Sequence, residues 1–232
     1  MAFKHFILVC GGTGCESSKS DEIYKELRAQ AEAQGVAADV QVVKTGCFGF
    51  CEKGPIVKVL PTESFYVEVK PSDAKEIIAE HIIKGREVQR LLYKDARQKE
   101  RVKTQAIDFY QKQFRIVLRN CGVIDPESID DYLAVRGYEA LARVLEEYSS
   151  GRVVEEIIKS GLRGRGGGGF PTGVKWKMVA EQPAGEKFVI CNADEGDPGA
   201  FMDRSTIEGD PFSVIEAMTI GGFAVGANQG IV

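Results

Sequence analysis

Four of the six cysteines lie within the first 51 residues, as two close pairs. Cys10 and Cys15 are spaced C-x4-C, and Cys47 and Cys51 are spaced C-x3-C after 31 intervening residues. Each pair follows a short apolar run and sits in a glycine-bearing loop, Cys-Gly-Gly-Thr-Gly-Cys and Gly-Cys-Phe-Gly-Phe-Cys. Glycine lets the backbone curl around a bulky inorganic core and aim amide N–H groups at sulfur. Four thiolates meet the ligand demand of a [2Fe–2S] centre, whose potential such amide bonds and loop exposure would tune. Structural zinc also accepts four cysteines at these spacings, although the C-x2-C knuckle is absent. A thiol–disulfide enzyme is the third reading, without its usual C-x-x-C.

The length, 232 residues, suits one large domain or two to three small ones. The net charge of −4 gives no support to nucleic-acid binding, which shows a basic excess. Apolar runs such as Phe6–Cys10 are too short to cross a bilayer, so no membrane span is expected. The N-terminus opens Phe3-Lys4-His5 and lacks the apolar core and cleavage site of a signal peptide. A cytoplasmic address follows, and there clustered cysteines read as metal or redox chemistry before disulfides. Cys121 and Cys191 stand apart, and Cys121, near a helix end, reads as an inert thiol.

Hydrophobic periodicity gives the element order. Residues 4–10 read as a buried strand, and 18–34 as a helix with Ile23, Tyr24, Leu27 and Ala31 on one face, stopped by Gly35. A second strand covers 38–44. Residues 56–60 and 65–69 form a hairpin about Pro61-Thr62-Glu63-Ser64, and Pro71-Ser72-Asp73 opens a helix carrying Ile77, Ile78 and Ile82. The result is a β-α-β-β-β-α unit with a mixed sheet. Residues 86–119 read as helical and basic, with nine Lys/Arg against three Asp/Glu from Arg90 to Arg119. That stretch is a solvated face or a docking surface for an acidic partner. Helices follow at 126–135, 138–148 and 152–160, then a buried strand at 187–191 and a small-residue helix at 211–226. The final Gly230-Ile231-Val232 reads as the opening of a strand, so the chain is expected to be a fragment of something longer.

From Gly161 onward the chain holds 15 of its 26 glycines, and seven of them lie in 161–173. Gly164, Gly166 and Gly169 satisfy G-x-G-x-x-G, but a helix precedes them and Pro171 follows, so the dinucleotide-fold context fails. Bare amides flanked by Arg163, Arg165 and Lys175 still make a cradle for a phosphate or pyrophosphate, with Phe170 and Trp176 as flat faces for a ring. A flexible linker is the alternative, though linkers carry Ser and lack bulky aromatics. After the 187–191 strand, Asn192, Asp194, Glu195 and Asp197 stand at a strand edge suited to a heterocycle and sugar hydroxyls. An acidic cluster that only stabilises its turn is the alternative.

Two resemblances now apply. Residues 1–85 resemble the thioredoxin-like [2Fe–2S] ferredoxins, a fold that also makes the twenty-four-kilodalton-type subunit of respiratory NADH dehydrogenases. This implies one [2Fe–2S] cluster on Cys10, Cys15, Cys47 and Cys51. The runs Gly161–Trp176 and Cys191–Arg204 resemble both signatures of the fifty-one-kilodalton-type, FMN- and NADH-binding subunit of those enzymes, with similarity from about residue 125 onward. It implies FMN contacts at Gly164, Arg165, Gly166, Lys175, Asn192, Asp194 and Glu195, and Phe170 against the nicotinamide nucleotide. Asp197, beside the nicotinamide site, replaces the Glu usual in respiratory members. Met178 stands where some members stack an aromatic on adenine.

The implied architecture is α/β: a thioredoxin-like ferredoxin domain at 1–85, a helical connector at 86–150 and an incomplete α/β flavin-binding domain at 151–232. The fusion resembles the β subunit of electron-bifurcating [FeFe] hydrogenases, whose further parts would include a [4Fe–4S] bundle absent here. The implied activity moves electrons between NAD(H), FMN and iron–sulfur clusters. Implied partners are a hydrogenase iron–sulfur subunit and a [2Fe–2S] subunit of the twenty-four-kilodalton type. The rival is a non-catalytic [2Fe–2S] carrier or docking module holding no flavin.

Overall fold

In the computed structural model, which describes residues 3–94, 107–183, 185–197 and 199–232, the chain forms two compact units. One is Met1–Asp131 with Ser205–Asp210, and the other is Tyr132–Arg204 with Pro211–Val232.

In the first unit, β1 (His5–Cys10) is followed by α1 (Thr13–Glu16), α2 (Ser20–Ala33) and β2 (Val40–Thr45). A parallel strand pair needs a crossover, and α2 supplies it. Ile23, Leu27 and Ala31 recur every four residues and are buried, while Gly35, at φ +73°, turns the chain out of the helix. Strands β3 (Val57–Leu60) and β4 (Ser64–Tyr66) add antiparallel, giving the sheet order β2-β1-β3-β4.

Alternation along β1 sends Ile7 and Val9 to one face and Leu8 and Cys10 to the other. The first face packs on α2 and on the helical stretch after β4. The second packs on Cys15, Phe48, Ile56, Phe65 and Ile107. Each fully buried aliphatic side chain contributes roughly 1.5–3 kcal/mol.

The helical stretch starts as a 3-10 turn at Pro71–Asp73, passes through α3 (Ala74–Glu76) and continues as a π-helix at Ile77–Ile83. It carries His81 into the core. There Tyr66 Oη lies 2.7 Å from His81 Nδ1, Thr62 Oγ1 lies 3.0 Å from Nε2, and the Val88 N–H donates to Tyr66 Oη at 3.0 Å.

The helix expected over 86–119 is not what forms where the structure describes it. Leu91–Tyr93 runs beside β4 instead: the Val67 N–H donates to Leu91 O at 2.9 Å, and the Tyr93 N–H donates to Phe65 O at 2.9 Å. Val88, Leu91 and Leu92 have helical spacing, but the open edge of β4 offers unpaired backbone groups, and pairing with them prevails. Residues 95–106, the middle of the basic stretch, lie outside the described residues. Among the described residues of 86–119 the only helix is α4 (Asp108–Gln111). In the same unit Asn120 Nδ2 donates to the buried Asp210 carboxylate at 2.8 Å. Gly209 packs against Gly46, where a Cβ on Gly46 would lie 2.6 Å from the Gly209 Cα.

The next helix, α5 (Ile129–Ala134), carries the chain into the second unit. There α6 (Glu139–Glu147), α7 (Ser150–Ser160), α8 (Thr172–Ala180) and β5 (Phe188–Ile190) follow. Helix α9 (Met202–Gly209) begins in this unit and runs into the Ser205–Asp210 stretch of the first, and α10 (Pro211–Val225) and β6 (Gln229–Ile231) complete the second. β5 and β6 pair in parallel. Helix α10 is the common wall, packing on α6, α7, α8 and both strands. Its buried Glu216 accepts from Tyr132 Oη at 2.5 Å and from the Tyr138 and Leu141 N–H groups, each at 3.0 Å. Helices α7 and α8 approach so closely that a Cβ on Gly173 would lie 2.5 Å from the Ile158 nitrogen.

The strand expected at 187–191 forms, but it is not buried. Phe188 and Ile190 are exposed, because β5 has one strand neighbour and one face covered by α10. Helix α9 has no clear apolar periodicity, so the sequence gives no expectation of it. Among the described residues no helix is long and apolar enough to cross a membrane.

Burial lowers the His81 pKa below its ordinary 6.5, against a smaller opposing pull from Glu87. The unfolded chain then binds the extra proton first, so stability should fall as pH drops below about 6.5 and level off below the folded value. Denaturant midpoints followed by far-UV circular dichroism between pH 5 and 8 check this. His81→Gln should flatten that part of the profile.

Candidate functional site

The parallel register of β1 and β2 sets Cys10 opposite Thr45. The loops that follow both strands therefore leave the sheet at the same edge, one carrying Cys15 on α1 and the other carrying Cys47 and Cys51. The Cys10 thiol lies against both Cys15 and Cys47, and Cys47 Sγ lies 3.7 Å from Cys51 Sγ. Cys10 and Cys15 are buried, Cys47 is half-buried and Cys51 is exposed.

Glycines make this approach possible. A Cβ on Gly12 would lie 2.8 Å from Cys47 Cβ, and one on Gly54 would lie 2.7 Å from Cys15 Sγ. Backbone amides face the sulfurs: Gly49 N–H donates to Cys47 Sγ at 3.3 Å, and the Phe48 and Ile56 amides are turned toward Cys10 and Cys15.

Donation to Cys15 pushes the Cys10 thiol up to about 12, with burial adding to it, and holds Cys15 below its usual value. Cys47 is pushed up by its hydrogen bond to Cys10 and by burial, and Cys51 by burial and then by Cys47. Thiols crowded in this way must release protons to bind iron, so rising pH favours loading. Among the described residues no three His, Cys, Asp or Glu side chains are set about a single ion. A two-iron cluster asks instead for two thiolates on each iron, and this four-thiol set in a glycine cradle fits it.

An aromatic cover was not read from the sequence. Phe50 meets Tyr93 edge-on at 5.1 Å between centroids, and Phe50 and Phe65 each lie 6.0 Å from Tyr110. The Phe-Gly-Phe inside the second cysteine pair was a signal for it. Tyr93 and Tyr110 gave none, because they are remote in sequence.

In the second unit, the glycine loop is a closed hairpin rather than a loose linker. Gly164 N–H donates to Phe170 O at 2.9 Å, and Thr172 N–H donates to Leu162 O at 2.9 Å. Arg163 is not left to face a phosphate: its guanidinium donates to Gly169 O at 2.7 Å. A Cβ on Gly166, Gly167 or Gly168 would meet nothing within 4 Å, so this tip is open. Arg165, Phe170 and Lys175 are exposed, with Lys175 in the first turn of α8. Trp176 does not offer a free ring face, since it packs with Val144, Val153 and Ala224 and against Gly221.

In the turn after β5, Asn192 Oδ1 accepts the Asp194 N–H at 3.0 Å. Glu195 takes the Asp203 and Arg204 N–H groups at 2.9 and 3.2 Å, which starts α9. Asn192, Asp194 and Asp197 are exposed. The glycine loop leads into α8 and the acidic turn leaves β5, and both of these elements pack on α10. An open run of glycine amides that leads into α8, flanked in sequence by Arg165 and Lys175, suits a phosphate group.

The chain thus carries a four-thiol cradle in one unit and an open glycine loop beside an acidic turn in its sequence neighbourhood in the other. Residues 2–81 match the family described as thioredoxin-like [2Fe–2S] ferredoxin, and residues 157–232 match the Nuo51 FMN-binding domain. The chain is 61% identical over 122 residues to the NADP-reducing hydrogenase subunit HndC of Solidesulfovibrio fructosivorans, covering 53% of this chain and 24% of that one. It is 30% identical over 201 residues to the NAD-reducing hydrogenase HoxS subunit alpha of Cupriavidus necator, covering 81% of this chain and 29% of that one. A thioredoxin-like [2Fe–2S] ferredoxin of Aquifex aeolicus aligns at 28% identity with a TM-score of 0.36, over 39% of this chain and 96% of its own. The chain thus spans about a quarter of the length of the curated relatives it matches.

Gly12→Ala should lower iron content per chain several-fold while leaving the helical signal intact, because the new methyl group collides with Cys47. Iron assay and circular dichroism on the same preparation test this.

Proposed function

We infer that this chain is a section of an electron-transfer subunit of an NAD(H)-linked flavin and iron–sulfur oxidoreductase, working within a hydrogenase complex of the electron-bifurcating kind. One observation carries the reading: a four-thiol glycine cradle and an open, cation-flanked glycine loop occur in a single chain.

The proposed division is a ferredoxin domain at 1–85, a connector at 86–150 and a flavin domain from 151. Cys10, Cys15, Cys47 and Cys51 hold the cluster. Gly164, Gly166, Arg165 and Lys175 bind the flavin phosphate through amides and positive charge, while Asn192, Asp194 and Glu195 hold the rest of the FMN. Phe170 covers the nicotinamide nucleotide, and Asp197 borders it. When bound, the flavin links a two-electron nucleotide couple to one-electron carriers, and the cluster is one such carrier. The chain's own side chains bind, orient and charge-balance these groups, and none is needed as a nucleophile. The relatives' names include both NAD- and NADP-reducing enzymes. Partners of the proposed complex are a hydrogenase iron–sulfur subunit and a [2Fe–2S] subunit of the twenty-four-kilodalton type, in the cytoplasm.

A second reading, a [2Fe–2S] carrier without flavin, draws support from groups already engaged. Gly164 N–H closes its own hairpin, and Glu195 starts α9. Anaerobic purification followed by iron, zinc and flavin assay with visible and EPR spectra decides between them. Two irons with FMN support the first reading, two irons without FMN favour the second, and zinc in iron-replete protein overturns both. If FMN is retained, Lys175→Ala should weaken its binding about tenfold, about 1.4 kcal/mol, in a flavin fluorescence titration.

A further inference from the structure

We propose that Tyr110 is a positioning residue for the iron–sulfur cluster: it fixes and polarises the Phe48–Gly49 peptide, whose N–H serves the Cys47 sulfur, and so raises the cluster's reduction potential. The inference rests on the [2Fe–2S] reading of the four cysteines. Tyr110 lies in neither segment matched to a family.

The geometry runs through a single peptide unit. Tyr110 Oη donates to the Phe48 carbonyl at 2.9 Å, and the Gly49 N–H donates to Cys47 Sγ at 3.3 Å. That carbonyl and that N–H belong to the same planar group, so gripping the oxygen sets the direction of the N–H. Gly49 sits at φ +75°, a conformation that few other residues adopt without cost. A hydrogen bond accepted at the carbonyl also makes the N–H a stronger donor.

Tyr110 is itself held in place. Its ring packs on Phe50 and on Phe65, and the Arg115 guanidinium lies 5.4 Å above it. Burial among these aromatics leaves the hydroxyl little reason to leave its carbonyl partner.

Reduction adds one electron, and therefore one negative charge, to the cluster and its thiolates. N–H groups aimed at sulfur stabilise that added charge and raise the potential. Cys47 and Cys51 are the more exposed ligands, where water competes for the sulfur, so a donor held in place matters most on this side.

The test uses the whole chain, purified anaerobically with its cluster and titrated with dithionite while EPR follows the reduced signal. Tyr110→Phe keeps the ring and deletes the donor. It should lower the midpoint potential, so that the reduced-to-oxidised ratio at the wild-type midpoint drops about three- to tenfold, tenfold being about 59 mV for one electron. Tyr148→Phe, which removes a phenol in the other unit, should leave the potential unchanged. Site-specific 3-fluorotyrosine at 110, a stronger donor of the same shape, should raise it. An unchanged or higher potential in Tyr110→Phe with intact iron content overturns the inference. Should that variant lose its cluster, the fluorotyrosine form decides, and no rise in potential there overturns the inference. Wild-type chain without a [2Fe–2S] signal would instead refute the functional reading on which the inference stands.

Discussion

The parallel pairing of β1 with β2 is the constraint on which the cysteine site depends. Its register sets Cys10 opposite Thr45, which delivers two loops to one edge of the sheet. A shift of one residue would send Cys10 to the opposite face and separate the thiols. The register is held by burial on both faces: Ile7 and Val9 on the helical side, Leu8 and Cys10 on the side of the loops. Thus the hydrophobic pattern of one short strand fixes where the sulfur chemistry sits.

The two candidate sites are built in different ways. The cysteine site is tight. Glycines stand where a methyl group would collide with a ligand, and an aromatic cover closes over the second loop. The residues proposed to bind flavin sit on an open hairpin and an exposed turn, both mounted on elements that share α10 as a wall. Several polar groups there already serve the fold, Arg163 on the Gly169 carbonyl and Glu195 at the start of α9 among them. A residue can be part of a recognisable signature and still spend its hydrogen bonds on local structure.

The segment after the ferredoxin sheet is more than a spacer. Leu91–Tyr93 pairs with the edge of β4, and Tyr110 lies over the cysteine loop. Edge strands left open invite pairing, and here the chain covers its own edge. Charge counting in this stretch pointed to a solvated helix, but backbone pairing and aromatic packing govern the part that the structure describes.

Much of the fold was legible because each cue was local. The i, i+4 spacing of Ile23, Leu27 and Ala31, the stop at Gly35 and the hairpin about Pro61 depend only on near neighbours. The cysteine spacing likewise announced a four-thiol site. Tyr110, the Gly12 and Gly54 contacts with cysteine, and the diversion of Trp176 into a core were not legible, since each depends on residues far apart in the chain. Sequence alone named the groups that could do chemistry and the strongly periodic helices and strands, because periodicity and spacing act over a few residues; it misread 86–93 and missed α9. Only the tertiary structure decided which sulfurs meet, which amides face them and which ring covers them. Those facts follow from strand register and side-chain packing, where partners are set by the whole fold's competition to bury apolar surface and satisfy backbone groups.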